Sequence, residues 1–242
     1  MAHFYLNEAL SSTVPGSEVW LTGAEARHAV AVSRTKVGDI LHLGNGAGMM
    51  LTGEVTAAAS DRVSVRVDTV RHQEPPSPRI HLVQALAKGD RDEAAVQTAT
   101  ELGVDEVTPW AAERSIVKWV GAKADKGAER WRAIVREAAK QSVRPHLPTV
   151  HSVAGTSRIA ECASTDRVLV LEPSADTPLT SLTFDARAIV LVVGPEGGIS
   201  PSERRRLVEA GAEEVRLGPT VLRTSTAGPA ALAVIASMLG RW

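Results

Sequence analysis

The 242-residue sequence contains one cysteine, Cys162. That excludes an intrachain disulfide framework and most thiolate-based metal centres. Long hydrophobic runs are missing as well. The longest stretch without a charged side chain, Thr224–Gly240, carries Ser, Thr, Gly and Pro and falls short of the roughly 20 apolar residues a membrane-spanning helix needs. The opening MAHFYLNEAL has neither a basic segment nor an apolar core, so no signal peptide is expected and the expected location is cytoplasmic. Neither a G-x-G-x-x-G fingerprint nor a G-x-x-x-x-G-K-[ST] phosphate loop occurs, which argues against dinucleotide binding and nucleotide hydrolysis. The seven histidines form no H-E-x-x-H or paired-ligand spacing, and no metal is expected. Internal repeats and low-complexity tracts are absent.

A bias of charge is also lacking, with a formal net charge of −1, but the distribution is uneven. Residues 1–74 carry 6 Lys/Arg against 8 Asp/Glu, whereas residues 114–144 carry 9 against 3. Such a concentrated basic segment is the electrostatic footprint of a polyanion partner. Apolar residues at 44% and charged residues at 23% are the balance of a globular protein, and the length suits one or two domains.

Three prolines within Gln73–Pro78 disfavour helix and sheet interior and mark a linker, 73–78, between residues 1–72 and 79–242. Ahead of it, short β-rich runs (Asp39–Leu43, Met50–Thr56, Arg62–Val70) alternate with turns, and Val63, Val65 and Val67 give the period of a half-buried strand. One helix is expected over Ala24–Ser33, with Thr22 and Glu25 spaced as a capping box. The segment reads as a small β-barrel. Beyond the linker, strands (Ile80–Leu86, Glu106–Pro109, Arg167–Leu171, Ala188–Val193, Glu214–Leu217) alternate with helices (Arg91–Leu102, Glu129–Val143, Pro201–Ala210, Thr226–Leu239). That alternation predicts an α/β domain with a mainly parallel sheet. Its VLVL and IVLVV runs suit strands covered on both faces. Asp90 and Glu93 are expected to cap the helix at Arg91, with Gly103 closing it. Cys162 is expected in a helix as a buried, inert thiol.

Three segments carry candidate chemistry. Gly194-Pro-Glu-Gly-Gly-Ile-Ser200 follows a strand and enters a helix whose start is signalled by Ser200, Pro201 and Glu203. Glycines there allow backbone to approach a ligand beyond a strand end, or merely turn a structural corner. Leu217–Ala227 also leads from strand to helix, and Arg223 is the only charge between Leu217 and Gly240. That guanidinium serves either a site or a helix-end ion pair. In Glu129–Arg144 an apolar stripe (Trp131, Ile134, Val135, Ala138, Ala139) stands beside Arg132, Arg136 and Lys140, spaced four apart. Like charges at that spacing repel, so an anion is expected against them. With Arg144 they form a candidate phosphate track, the alternative being a solvated basic face.

GPEGGIS followed by LGPTVLRTSTA resembles the C-terminal signature of the SPOUT methyltransferases, and more narrowly of the RsmE family, the 16S rRNA uridine N3-methyltransferases. KGDRDEAAVQTATELGVDEVTPW, ERWRAIVREAAKQSVRPHLP and HAVAVSRTKVGD are similar to further motifs of that family, in the same order. The resemblance implies an α/β fold: an N-terminal PUA-like β-barrel that binds RNA, then a SPOUT domain with a deep trefoil knot. It also implies a homodimer, 16S rRNA of the small ribosomal subunit as partner, and S-adenosyl-L-methionine as cofactor. The cofactor would lie against Leu171, Glu172, Gly194, Glu196, Gly197, Gly198, Ile199, Leu217, Gly218, Val221, Leu222 and Thr224. Arg223 and Glu196 become the catalytic candidates, with Glu196 acting as base or merely orienting the backbone or Arg223. Arg34, within HAVAVSRTKVGD, joins Arg132, Arg136, Lys140 and Arg144 as candidate RNA contacts. Two departures stand out: Ser225 replaces the glutamate of LR-x-ETA, which rules out a carboxylate base there and leaves Ser225 to cap the last helix, and Thr98 replaces a frequent lysine. A non-enzymatic RNA-binding ribosome-assembly factor and a knotted ribose 2′-O-methyltransferase remain as alternatives.

Overall fold

The computed structural model describes residues 4–242; the first three residues of the opening segment lie outside them. The chain divides into two units. One runs to Pro75 and also takes in Ala139–Leu147, and the other comprises Pro76–Ala138 and Pro148–Trp242.

The smaller unit is a five-stranded sheet of β1 (Phe4–Leu6), β2 (Glu18–Thr22), β3 (Ile40–Gly44), β4 (Met49–Ala59) and β5 (Arg62–His72), in the order β1-β3-β4-β5-β2. Its pairings are antiparallel except β1 with β3. Val63, Val65 and Val67 are buried with Leu21, Leu41 and Leu43, as their alternation predicts. β1 and β2 escape the sequence reading: the first is three residues long, and in the second the exposed Trp20 between buried Val19 and Leu21 hides the alternation. The expected helix over Ala24–Ser33 is α1 (Gly23–Arg27) continued by a π-helical turn, His28–Val32.

The expected capping box at Thr22 does not form; Thr22 makes no side-chain cap. Glu25 turns inward instead and accepts from Lys140 Nζ at 3.0 Å, with both side chains buried. Lys140 therefore cannot belong to an exposed phosphate track: the anion its charge requires is this internal carboxylate. The returning segment that carries it is sewn to the sheet by backbone. Gly48 donates to the Pro145 carbonyl and Leu147 to the Gly46 carbonyl, both at 2.9 Å. The expected limits of 1–72 and 79–242 thus omit nine residues, 139–147, that the smaller unit borrows.

The larger unit has six parallel strands: β6 (Ile80–Ala85), β7 (Glu106–Trp110), β8 (Thr149–Val150), β9 (Arg167–Leu171), β10 (Ile189–Val193) and β11 (Glu213–Val215), in the order β11-β9-β10-β6-β7-β8. Helices cover both faces. Leu82, Leu169, Leu191 and Val215 pack with Trp131 of α3 (Ala122–Gln141), Val96 of α2 (Arg91–Glu101) and Leu232 and Ile235 of α6 (Thr224–Met238). Val83, Val168, Val190 and Val192 pack with Ile159 of α4 (Thr156–Glu161) and Leu207 of α5 (Pro201–Glu209). This double cover is why the β9 and β10 sequences run apolar without alternation. The strand order reverses where β6 meets β10, the topological feature beside which open α/β sheets bind ligands.

Helix ends follow the sequence in part. Ser200 and Glu203 form a complete capping box on α5, with proline at its first turn. Asp90 does not cap α2. It sits in the left-handed region at φ 56°, and the neighbouring Asp92 is the carboxylate that accepts from Ala87 N and Glu93 N. α6 begins at Thr224, not Thr226, with Arg223 at its N-cap, so Ser225 does not cap it. Cys162 falls in a 3-10 turn after α4, half-buried, its thiol donating to the Arg158 carbonyl at 3.7 Å and pushed up in pKa by burial.

Removing one partner of the Glu25–Lys140 pair strands the other charge in the core, which costs about 3–5 kcal/mol. Lys140→Ala is therefore expected to lower the thermal midpoint markedly. Glu25→Leu combined with Lys140→Leu is expected to regain most of the loss, which differential scanning calorimetry on the three proteins checks.

Candidate active site

β9, β10 and β11 end at one cavity of about 360 Å³. Its walls come from the residues that follow each strand: Leu171–Pro173, Gly194–Glu196 with Gly198 and Ile199, and Arg216–Thr224 apart from Pro219, closed by Val193, Val215, Ala227 and Arg91. Eleven of the twelve residues expected to line a cofactor site meet here. The exception, Gly197, points away: its carbonyl accepts from the Arg114 guanidinium at 3.1 Å, and a Cβ at Gly197 would meet Arg114 at 3.4 Å. The close approach is at Gly194, where a Cβ would stand 2.7 Å from Ile199 Cγ1.

What joins these loops is Thr224. Its buried hydroxyl donates to the Gly194 carbonyl at 2.8 Å and accepts from Gln84 Nε2, also at 2.8 Å. Gln84, on β6, is fully buried and was not among the expected site residues. A lone amide inside the apolar run LVQAL is the signal that marks it, because a buried amide must be hydrogen-bonded.

The cavity's charges are arranged unequally. Glu172 accepts from Ser174 and pairs with Arg204 at 3.4 Å. Glu196 takes the Lys88 N–H at 3.2 Å and Arg91 at 2.8 Å on the same oxygen. Burial pushes the Glu196 carboxyl up, but the backbone donors and Arg91 outweigh it and hold the group below the usual carboxylate range. Arg223, an exposed residue on the cavity wall, has no carboxylate partner among the described residues; Glu196 does not orient it. The backbone supplies donors too. Among the described residues, the N–H groups of Ile199, Gly218 and Leu222 reach no protein acceptor.

Of the expected RNA contacts, Arg34 and Arg132 are exposed, Arg136 and Arg144 half-buried, and Lys140 buried. The histidines are less scattered than their spacing suggests. His81 and His151 lie 5.2 Å apart with Glu106 bonded to His151. Desolvation lowers His81 to about 4, which leaves its imidazole neutral. Among the described residues no cluster of His, Cys, Asp and Glu could hold a metal ion.

Residues 73–236 match the family model of an RNA methyltransferase domain, and residues 21–68 that of an RNA methyltransferase PUA domain. In class, then, this is an RNA methyltransferase. The chain is 41% identical to the ribosomal RNA small subunit methyltransferase E of Mycobacterium tuberculosis, over 94% of this chain and 89% of that protein. To the protein of the same name in Bacillus subtilis it is 33% identical, over 89% and 88%. The crystal structure of a ribosomal RNA small subunit methyltransferase E from Neisseria gonorrhoeae, bound to S-adenosyl methionine, superposes with a TM-score of 0.89 at 30% identity, covering 98% of both chains. A Legionella pneumophila methyltransferase in complex with the same cofactor gives 0.87, also at 30% identity and 98% of both. The chain belongs to the ribosomal RNA small subunit methyltransferase E family.

Thr224→Val keeps the volume but leaves the Gln84 amide and the Gly194 carbonyl without their shared partner, a loss of about 1–3 kcal/mol for buried polar groups. A lower midpoint in urea is expected for this variant, and Thr224→Ser is expected to retain most of the stability.

Proposed function

We propose that this chain transfers the methyl group of S-adenosyl-L-methionine to N3 of a uridine in 16S rRNA of the small ribosomal subunit. The observation that carries the reading is the cavity at the ends of β9, β10 and β11, lined by residues whose backbone N–H groups, and at Arg223 whose guanidinium, have no protein partner among the described residues, in a chain of this family. The fit to the cofactor is chemical. Leu171, Val193 and Leu217 offer apolar walls for an adenine, and Ile199, Gly218 and Leu222 offer N–H groups for its acceptors. When bound, the cofactor supplies a methyl group activated by attachment to a sulfonium.

The chain's own residues must handle the other reactant. Uridine N3 carries a proton and becomes a nucleophile once that proton leaves, with the charge spread onto O2 and O4. Arg223, on the cavity wall with no carboxylate partner among the described residues, stabilises that charge as it develops. N3 also lies on the pairing edge of the base, so the target nucleotide must be unpaired when it reacts.

The finer architecture follows the family resemblance. The strands of the smaller unit close as a PUA-like barrel. The loops that converge on the cavity belong to a trefoil knot, and two copies form a homodimer with shared sites. Exposed Ile116, Val120 and Val221 are apolar surface suited to burial by a second copy. Arg34, Arg132, Arg136 and Arg144 contact phosphates, with Lys140 withdrawn from that set. The working location is the cytoplasm; no helix among the described residues is long and apolar enough to cross a membrane.

Nucleoside mass spectrometry of 16S rRNA treated with the purified protein and cofactor is expected to detect N3-methyluridine. Ribose-methylated nucleoside alone, or no product together with no calorimetric binding of the cofactor, contradicts the assignment. Arg223→Ala is expected to slow single turnover by roughly 100-fold or more, as loss of an oxyanion donor does, with little change in melting temperature. Replacing Arg132 and Arg136 by Ala is expected to flatten the salt dependence of RNA binding by roughly 0.7 per lost single-strand contact, leaving cofactor affinity unchanged.

A further inference from the structure

From the geometry of the cavity rim we infer a second substrate-facing guanidinium: Arg91 binds the deprotonated uracil together with Arg223, and Glu196 is the positioning residue that aims it. The inference rests on the uridine-methylation reading above and extends it to residues outside the signature loops.

Arg91 opens α2, yet it lines the cavity built by the loops after β9, β10 and β11. It is held there from one side. Glu196 Oε1 accepts from Nη1 at 2.8 Å and also takes the Lys88 backbone N–H, so one carboxylate fixes both the side chain and the loop that presents it. Among the described residues the remaining guanidinium donors have no acceptor. The loop itself is bent for the purpose. Gly89 and Asp90 are both left-handed, at φ 60° and 56°, a conformation that glycine adopts freely and Asp more readily than most side chains. The buried Asp92 carboxylate pins the far side through Ala87 N and Glu93 N. The Arg91–Glu196 pair is itself too exposed to be explained by stability alone. The structure therefore supplies a left-handed turn, a buried anchor and a dedicated carboxylate, and together they hold one planar cation on the wall of the donor cavity.

Of the three arginines on the wall, Arg216 already donates to the Ala175 and Asp176 carbonyls; the remaining two guanidiniums suit a planar anion with charge on two oxygens flanking a nitrogen, which is the deprotonated imide edge of uracil. They do not suit the neutral base, so their effect is to favour loss of the N3 proton. N3 yields that proton to solvent, its lone pair forms the bond to the methyl carbon, and the carbon–sulfur bond breaks with its electron pair remaining on sulfur. Held as a carboxylate by its donors, Glu196 stays charged and serves as the counter-anion that orients Arg91.

The test is the pH profile of single-turnover methylation on 16S rRNA by the full-length protein, read as N3-methyluridine, alongside calorimetric titration of S-adenosylmethionine. Arg91→Ala is expected to move the rise in rate to higher pH by about one unit, so that a tenfold deficit at neutral pH shrinks as the solution becomes alkaline. Arg91→Lys is expected to fall between the two, since an ammonium keeps charge but not the planar fork. Glu196→Gln is expected to shift the profile in the same direction by less. Cofactor affinity is expected to stay within a few-fold of the parent in the two Arg91 variants. A deficit of the same factor at every pH overturns the inference, and so does a loss confined to cofactor affinity, which would give Arg91 to the donor instead. In both cases the parent protein still makes N3-methyluridine and the functional reading stands. A parent that makes none overturns the reading and this inference together.

Discussion

The cavity exists because one hydroxyl holds two neighbours that the chain supplies far apart. Thr224 Oγ1 joins Gln84, 140 residues away, to the Gly194 carbonyl, 30 residues away. The ends of β10 and β6 and the first turn of α6 are thereby fixed to one point. Arg223 sits at the N-cap directly before that threonine, so its position on the wall follows from the same hydrogen bonds. Packing makes the arrangement stiff, because Gly228 of α6 lies against Leu82 and Val193 closely enough that a Cβ would touch Leu82 at 3.0 Å.

Charge follows a similar economy. The carboxylates on the cavity wall are each engaged by a specific cation, Glu172 by Arg204 and Glu196 by Arg91. Arg216 donates to the Ala175 and Asp176 carbonyls, and Arg223, in a stretch of sequence with no other charge, has no carboxylate partner among the described residues. In the smaller unit the buried Glu25–Lys140 pair is a different use of charge. It fixes a returning segment by a pair whose separation costs far more than its formation gains.

What the sequence made legible was local. Continuous valine and leucine runs identified β9 and β10, the 3.6-residue stripe from Trp131 to Ala139 identified the buried face of α3, and Ser200-Pro-Ser-Glu marked the start of α5. The glycine loop and the LGPTVLRT segment drew attention to the cavity because both follow strand ends. The errors lie where a partner is distant in sequence. Glu25 reads as a local cap until Lys140, 115 residues on, is brought to it. Lys140 in turn reads as a member of an exposed basic row until that carboxylate buries it. Gly197 has the composition of a ligand contact, but Arg114 occupies its side. Arg91 lies in the KGDRDEAAVQ motif, far in sequence from the loops that line the cavity, and the left-handed turn at Gly89 and Asp90 precedes its arrival at the wall. β8 is two residues long and gives no periodicity at all.

The central claim is that a methyl donor is held by the backbone of the loops after β10 and β11. Amide hydrogen exchange with and without S-adenosylmethionine tests it most directly. Slower exchange is expected at Ile199, Gly218 and Leu222 together, with the smaller unit unchanged. Unaltered exchange in both loops under saturating donor, or protection confined to another part of the chain, would contradict the account.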